Sequence, residues 1–281
     1  MSYQQEIETI QKKLRSLAEP PKEFEHSELT IAPAYCDRHG EFEQRQRKQA
    51  FGNITTKTEC PDCLKDRLQE LERVRERDND RHRQSQIDRL MMELNLPERF
   101  ASSTLENYQP VNDEANYCLR ICKAYAAKWK ERLKQGGGLV LCGKPGTGKN
   151  HLALAIAKHV IEQHQSSAMF TTALRVARTF KATWGKNADR SEADVIRMHT
   201  DPDLLIIDEV GVQFGSEAEK LILFEIINTR YEQMKPTILI SNLPLEELSA
   251  FIGERVIDRM SDGGGCTLAF TWDSYRSRGA A

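Results

Sequence analysis

The run Gly143-Lys144-Pro145-Gly146-Thr147-Gly148-Lys149-Asn150 follows an apolar stretch at 139–142 and opens a helical pattern near His151. Glycines at these positions let successive backbone N–H groups turn toward one anion, and the helix N-terminus adds partial positive charge. Lys149 can then extend to the terminal phosphates. Strand, loop and helix in that order are the context this chemistry needs, so the segment reads as a phosphate-binding loop for ATP with magnesium. One position departs from the usual pattern. A Ser or Thr hydroxyl normally ligates magnesium after the lysine; here Asn150 stands, whose longer side chain offers a hard amide oxygen.

A second apolar run, 204–207, ends in Asp208 and Glu209. Placed beside the strand that feeds the phosphate loop, Asp208 would hold the magnesium shell and Glu209 would polarise the attacking water as general base. A third run, 237–241, ends in Asn242, a candidate sensor that would sit between these two motifs and touch the γ-phosphate or the water, although an Asn before Pro244 also suits a plain turn. Arg255 and Arg259 lie one helical turn apart in GERVIDRM. They could be a surface pair with nearby acids, or one could reach a nucleotide held by a neighbouring subunit and stabilise charge on the transferred phosphoryl group.

A separate chemistry sits upstream. Cys36 and His39 form a C-x2-H pair, and Cys60 and Cys63 a C-x2-C pair. Two such pairs around a short segment fit a tetrahedral zinc site, with four protein ligands and no open position for catalysis. Cys118 and Cys122, one turn apart, and Cys142 and Cys266, in apolar runs, read as core residues instead.

The elements that position these groups divide near residue 95. Residues 1–95 are rich in Glu, Gln, Arg and Lys, with sparse apolar positions at helical spacing, a Pro20-Pro21 stop, and a long charged helical pattern over 64–94. So few apolar residues leave a small module in need of a staple, which structural zinc would supply. Arg45, Arg47 and Lys48 between the ligand pairs could meet phosphates, but protein binding is the favoured use. Residues 96–281 alternate short apolar strands at 139–142, 168–171, 204–208, 237–241 and 267–271 with helical stretches, the pattern of a parallel sheet covered on both faces. The 281-residue chain has net charge -2, so any nucleic-acid contact must be local. No run spans a bilayer and the N-terminus lacks an apolar signal core, so a cytoplasmic protein without membrane association is expected.

Together GKPGTGKNHLA, LLIIDEVG, ISN, GERVIDRM and FTWDSYRSR resemble the DnaC-type bacterial replicative helicase loaders, AAA+ ATPases related to the IstB-type transposition helpers. The resemblance covers about residues 96–278 and extends to Asn150 and His151. It implies an α/β AAA+ P-loop fold with a five-stranded parallel sheet, lacking the C-terminal helical lid; the small α-rich zinc domain ahead of it is the reading of residues 1–95 themselves. It implies nucleotide roles for Lys149, Asp208, Glu209, Asn242 and Arg255 or Arg259, and places Phe100 near adenine. It further implies single-stranded DNA, a replicative ring helicase and self-association through shared ATP sites. The short segment after 271 cannot build a lid, so closure would lean on the neighbouring subunit. A transposition helper and a nucleotide-gated adaptor with negligible turnover are the rival expectations.

Overall fold

Strands buried on both faces must be apolar at every position, and the central segments of this chain are. The structure, a computed structural model, describes residues 3–22, 24–50, 54–185, 188–211 and 217–275, the side chains at 217–219 excepted. It divides into two units, Met1–Gln84 and Ser85–Ala281.

In the second unit, β4 (Leu139–Gly143), β5 (Ala168–Thr172), β6 (Leu204–Asp208), β7 (Thr237–Ile240) and β8 (Cys266–Phe270) form a five-stranded sheet in the order β5-β6-β7-β4-β8. Every pairing in it is parallel. Leu139, Leu141, Leu204, Ile206, Ile238 and Ile240 face one core, with α3 (Asp113–Ala127) and α5 (Lys149–His164). Their alternates Val140, Cys142, Leu205, Ile207 and Leu239 face the other, with α6 (Ala173–Lys181), α7 (Glu192–Thr200), α8 (Glu217–Glu232), α9 (Leu245–Ile252) and α10 (Glu254–Ser261). A short α4 (Trp129–Gln135) precedes β4. Cys118, Cys122 and Cys142 are buried, and burial pushes each thiol up.

One expectation is corrected. The strand ending in Asp208 is not beside the loop-bearing strand, because β7 lies between β6 and β4. The compact units divide at 84/85, and Leu90 and Leu94 of the long helix and its end bury in the second unit's core, where the Leu94 carbonyl accepts the Phe170 amide of β5.

The first unit holds α1 (Tyr3–Ala18), the start of the 33-residue α2 (Pro61–Glu93), and an antiparallel sheet of β1 (Ser27–Cys36), β2 (Gly40–Gln49) and β3 (Thr55–Lys57). That sheet accompanies the expected helices in a stretch whose composition does not announce strands. Only Ile7, Ile10, Cys60 and Leu64 are buried among its described residues. Arg45, offered above to phosphates, instead donates to the carbonyls of Ser16, Leu17 and Glu19, closing the end of α1. Arg47 donates to Ser27 and Lys22 and lies over the Phe24 ring.

One buried cation organises the sheet's leading edge. Arg230 of α8 is fully buried and has no carboxylate partner among the described residues. Its guanidinium donates to Thr237 Oγ1 and to the carbonyls of His199, Thr200, Pro202, Asp203 and Pro236. Burial lowers its pKa to about 9, so it stays charged at neutral pH. Arg230→Met would leave those acceptors unsatisfied in the interior, and a loss of roughly 3 kcal/mol or more is expected in denaturant unfolding of the second unit. A wild-type midpoint would reject this assignment.

Candidate functional site

The end of the sheet at which β4, β6 and β7 stop opens into a cavity of 570 Å3. Its lining includes Phe100, Pro145, Gly146, Thr147, Gly148, Lys149, Asn150, Asp208, Glu209 and Asn242, so most of the residues singled out from the sequence meet there. Gly143 and Lys144 form the loop's entry: Gly143 has φ 114°, and a β-carbon there would stand 2.4 Å from the Phe270 carbonyl. Gly148 has φ 95°, and its β-carbon would strike Tyr108. Lys149 Nζ donates to the carbonyls of Gly143 and Lys144 at 2.8 and 2.7 Å.

Although β7 intervenes, Asp208 comes within hydrogen-bond reach of the loop helix. Asn150 Nδ2 donates to Asp208 Oδ2 at 2.5 Å. Only the amide nitrogen can face a carboxylate as donor, which leaves the Asn150 amide oxygen available as an acceptor. The Glu209 amide donates to Asp208 Oδ1 at 2.7 Å. Burial raises the Asp208 pKa, while the bonds from Asn150 and Glu209 and the nearby Lys149 charge oppose the shift. Glu209 has φ 60°, a left-handed conformation that strains a residue with a β-carbon. Ser241 Oγ donates to the Val210 carbonyl at 2.6 Å and accepts the Leu243 amide, fixing the chain around exposed Asn242.

Arg255 and Arg259 do not line this cavity. Arg255 is exposed at the start of α10. Arg259 donates to Asn228 and lies over the Tyr231 ring at 5.1 Å.

Two features escaped the reading of the sequence. Tyr108 and His151 brace the loop region: the Tyr108 hydroxyl donates to the Thr147 carbonyl, and Tyr108 packs edge-on against His151. Also, α6 exposes Arg175, Arg178 and Lys181 along one side and is followed by Trp184, 58% exposed. Cations at that spacing opposite buried Val176, Ala177 and Phe180 were a legible signal of a basic helix face.

In the first unit Cys36 and His39 flank the β1–β2 turn, and Cys60 and Cys63 bracket the start of α2. Their ligand atoms lie within 4.8 Å of one another. His39 Nδ1 stands 3.7, 3.8 and 3.4 Å from the sulfurs of Cys36, Cys60 and Cys63. Tetrahedral zinc–sulfur bonds imply edges of roughly 3.8 Å, so the donor set and its spacing fit zinc. The Arg38 amide is the largest cause lowering the Cys36 pKa to about 6, toward the thiolate a metal needs. The other ring nitrogen of His39 pairs with Asp66 at 3.0 Å, which turns Nδ1 toward the sulfurs.

Comparison with known proteins now bears on this geometry. Residues 47–277 match the family of IstB-like ATP binding proteins. The chain belongs to that family. This IstB-like protein is 31% identical over 239 residues to the replicative helicase loader DnaC of Buchnera aphidicola subsp. Schizaphis graminum, covering 85% of this chain and 96% of the relative. It is 35% identical over 175 residues to DnaC of Escherichia coli K12, covering 62% and 69%. A solved DnaC helicase loader matches with TM-score 0.55 at 23% identity over 62% of this chain and 99% of that one. The initiator DnaA, solved with AMPPCP and single-stranded DNA, matches with TM-score 0.51 at 23% identity over 62% and 51%. The second unit therefore has the AAA+ ATPase fold, and the IstB-like family makes it a nucleotide-binding ATPase domain. No helix among the described residues is long and apolar enough to cross a membrane.

For the Cys/His cluster, metal analysis of the purified protein should find one zinc per chain, lost in Cys63→Ser. Asp66→Ala should weaken zinc retention against a chelator by roughly 10- to 100-fold. Absence of zinc from wild-type protein would refute the assignment.

Proposed function

We propose that this IstB-like protein is an ATP-dependent loader that delivers a replicative ring helicase to single-stranded DNA in the bacterial cytoplasm. The observation that carries the reading is the convergence of Lys149, Asn150, Asp208, Glu209 and Asn242 on one cavity, with Arg255 and Arg259 outside it. Its DnaC relatives support the helicase role.

Within the cavity, loop amides and Lys149 would receive the β- and γ-phosphates. Asn150 would offer its amide oxygen to magnesium while its NH2 stays on Asp208, doing with one amide what a hydroxyl does in the usual loop. The metal would neutralise developing charge on the phosphates. Glu209 would accept a proton from the attacking water, and Asn242 would contact the γ-phosphate. Arg255 and Arg259, outside the lining of their own cavity, suit a neighbour's nucleotide, so ATP would cement a self-associated assembly. Arg259 would come pre-oriented by Asn228 and Tyr231; Arg255 is the freer of the two.

The Arg175–Arg178–Lys181 side of α6 with exposed Trp184 supports single-stranded DNA binding, since cations track phosphates and an aromatic face stacks bases. In the first unit, a 710 Å3 cleft between α1 and the sheet has an apolar floor of Leu17, Leu29 and Leu64 and basic rim residues Lys12, Arg15 and Lys57. That chemistry favours an acidic, partly apolar segment of the helicase there. The family's IstB description keeps a transposition-helper role as the second reading; copurification with helicase rather than transposase separates them.

Steady-state hydrolysis should rise on adding single-stranded DNA. Lys149→Ala should lose nucleotide binding, while Glu209→Gln should bind ATP yet turn over roughly 10²- to 10⁴-fold more slowly. Undiminished hydrolysis in Glu209→Gln would overturn the base assignment, and unchanged nucleotide affinity in Lys149→Ala the whole scheme. Substituting Arg255 and Arg259 singly with Ala should lower turnover without lowering affinity in dilute, unassembled protein; loss of affinity there would place that arginine in its own subunit's site.

A further inference from the structure

The motif after β8 has no role in the scheme above, yet it lies against the phosphate loop. Its residues from 276 onward fall outside the described residues; residues 272–275 do not. Trp272 is buried beside Phe270, with ring centroids 4.9 Å apart. Asp273 pairs with Lys144 Nζ at 3.0 Å. Ser274 sits so close that a β-carbon on Gly146 would stand 2.0 Å from its hydroxyl oxygen. The Tyr275 amide donates to the Gly146 carbonyl at 2.9 Å, and the Tyr275 hydroxyl donates to Gln109 Oε1 at 2.8 Å.

Gly146 and Gln109 belong to different walls of the nucleotide cavity, and Tyr275 itself lines it with 49% exposure. One residue thus ties the phosphate loop to the segment at 99–111, on which Phe100 and Tyr108 also border the cavity. The bond to Gly146 uses a carbonyl, so it consumes none of the loop's N–H groups.

We propose that residues 273–275 are a working part of the nucleotide site, with Tyr275 as the positioning residue that braces the phosphate loop and walls the base and ribose of a nucleoside triphosphate. This rests on the nucleotide reading above and extends it: part of the closure expected from a neighbouring subunit is supplied by the chain itself. The hydroxyl bond fixes the separation of the two walls, and the ring supplies apolar area that the ligand covers.

The test is equilibrium titration of the full-length protein with a ribose-labelled fluorescent ATP analogue, alongside melting temperatures with and without unlabelled ATP. Tyr275→Ala should weaken binding roughly tenfold. Tyr275→Phe, which keeps ring and amide, and Gln109→Leu should each weaken it roughly threefold, with the double variant no worse than either, because they remove the same bond. The nucleotide-free melting temperature should stay at the wild-type value while the ATP-induced rise shrinks. Wild-type affinity in Tyr275→Ala overturns the proposal. So does weakening matched by a lower nucleotide-free melting temperature in all three single variants. Lys149→Ala is the control: if it binds as wild type does, the nucleotide reading itself fails, whereas normal loss in Lys149→Ala with no effect at Tyr275 removes only the role of the tail.

Discussion

A phosphate loop works only while the amide groups that face the anion stay free for it, so the loop's carbonyl groups must be occupied by other donors. In this protein they are. Gly143 and Lys144 carbonyls receive Lys149, the Thr147 hydroxyl also binds Lys144, the Gly146 carbonyl receives Tyr275, and the Thr147 carbonyl receives Tyr108. The elements around the loop can be understood as the supports of those bonds. The chain at 102–111 carries Tyr108, α5 carries Lys149, and β8 leads into Tyr275. The loop's glycines follow from the same constraint, because Tyr108 and Ser274 approach so closely that no β-carbon fits at 148 or 146.

The acidic side of the cavity depends on a different constraint. With β7 between β6 and β4, the distance from Asp208 to the loop helix must be spanned by a side chain longer than a hydroxyl, or by a hydroxyl and an ion together. Asn150 spans it directly. The departure from the usual loop residue is therefore compatible with a complete site rather than a damaged one. At the opposite end of the sheet, Arg230 ties the segments entering β6 and β7 to each other, so the strand ends bearing Asp208 and Asn242 are held from their far side as well.

The central sheet was legible because strands covered on both faces need unbroken apolar runs, as in LLII before Asp208, and because glycine spacing before Lys149 has few other uses. The order of the strands was legible only through Asn242, whose sensor role needs a place between the two motifs; nothing in 204–208 itself says that 237–240 will insert beside it. The hairpin of the first unit was hidden for another reason. β2 carries charged and polar residues on both sides, and β1, although apolar at Leu29, Ile31 and Tyr35, leaves Ile31 and Tyr35 exposed, so their pairing is set by the turn at Asp37–Gly40 and the four clustered ligands rather than by burial of an apolar face. Tyr275 stood in the motif FTWDSYRSR, but its role was not legible there, because it runs through a backbone amide and one hydroxyl whose partners only the fold brings near. The α6 cations were legible in principle, but a basic helix face is common enough to be passed over without the exposed indole that follows it.

Glu209 sets heat stability against the proton-accepting role proposed for it. Its left-handed backbone stores on the order of 1 kcal/mol that glycine would release. Glycine at 209 would toughen the fold and, in the same substitution, delete the carboxylate from the cavity. Screens that reward thermal endurance alone would select such a variant, and would recover a hardier protein in which the strain, and what it holds in place, are both gone.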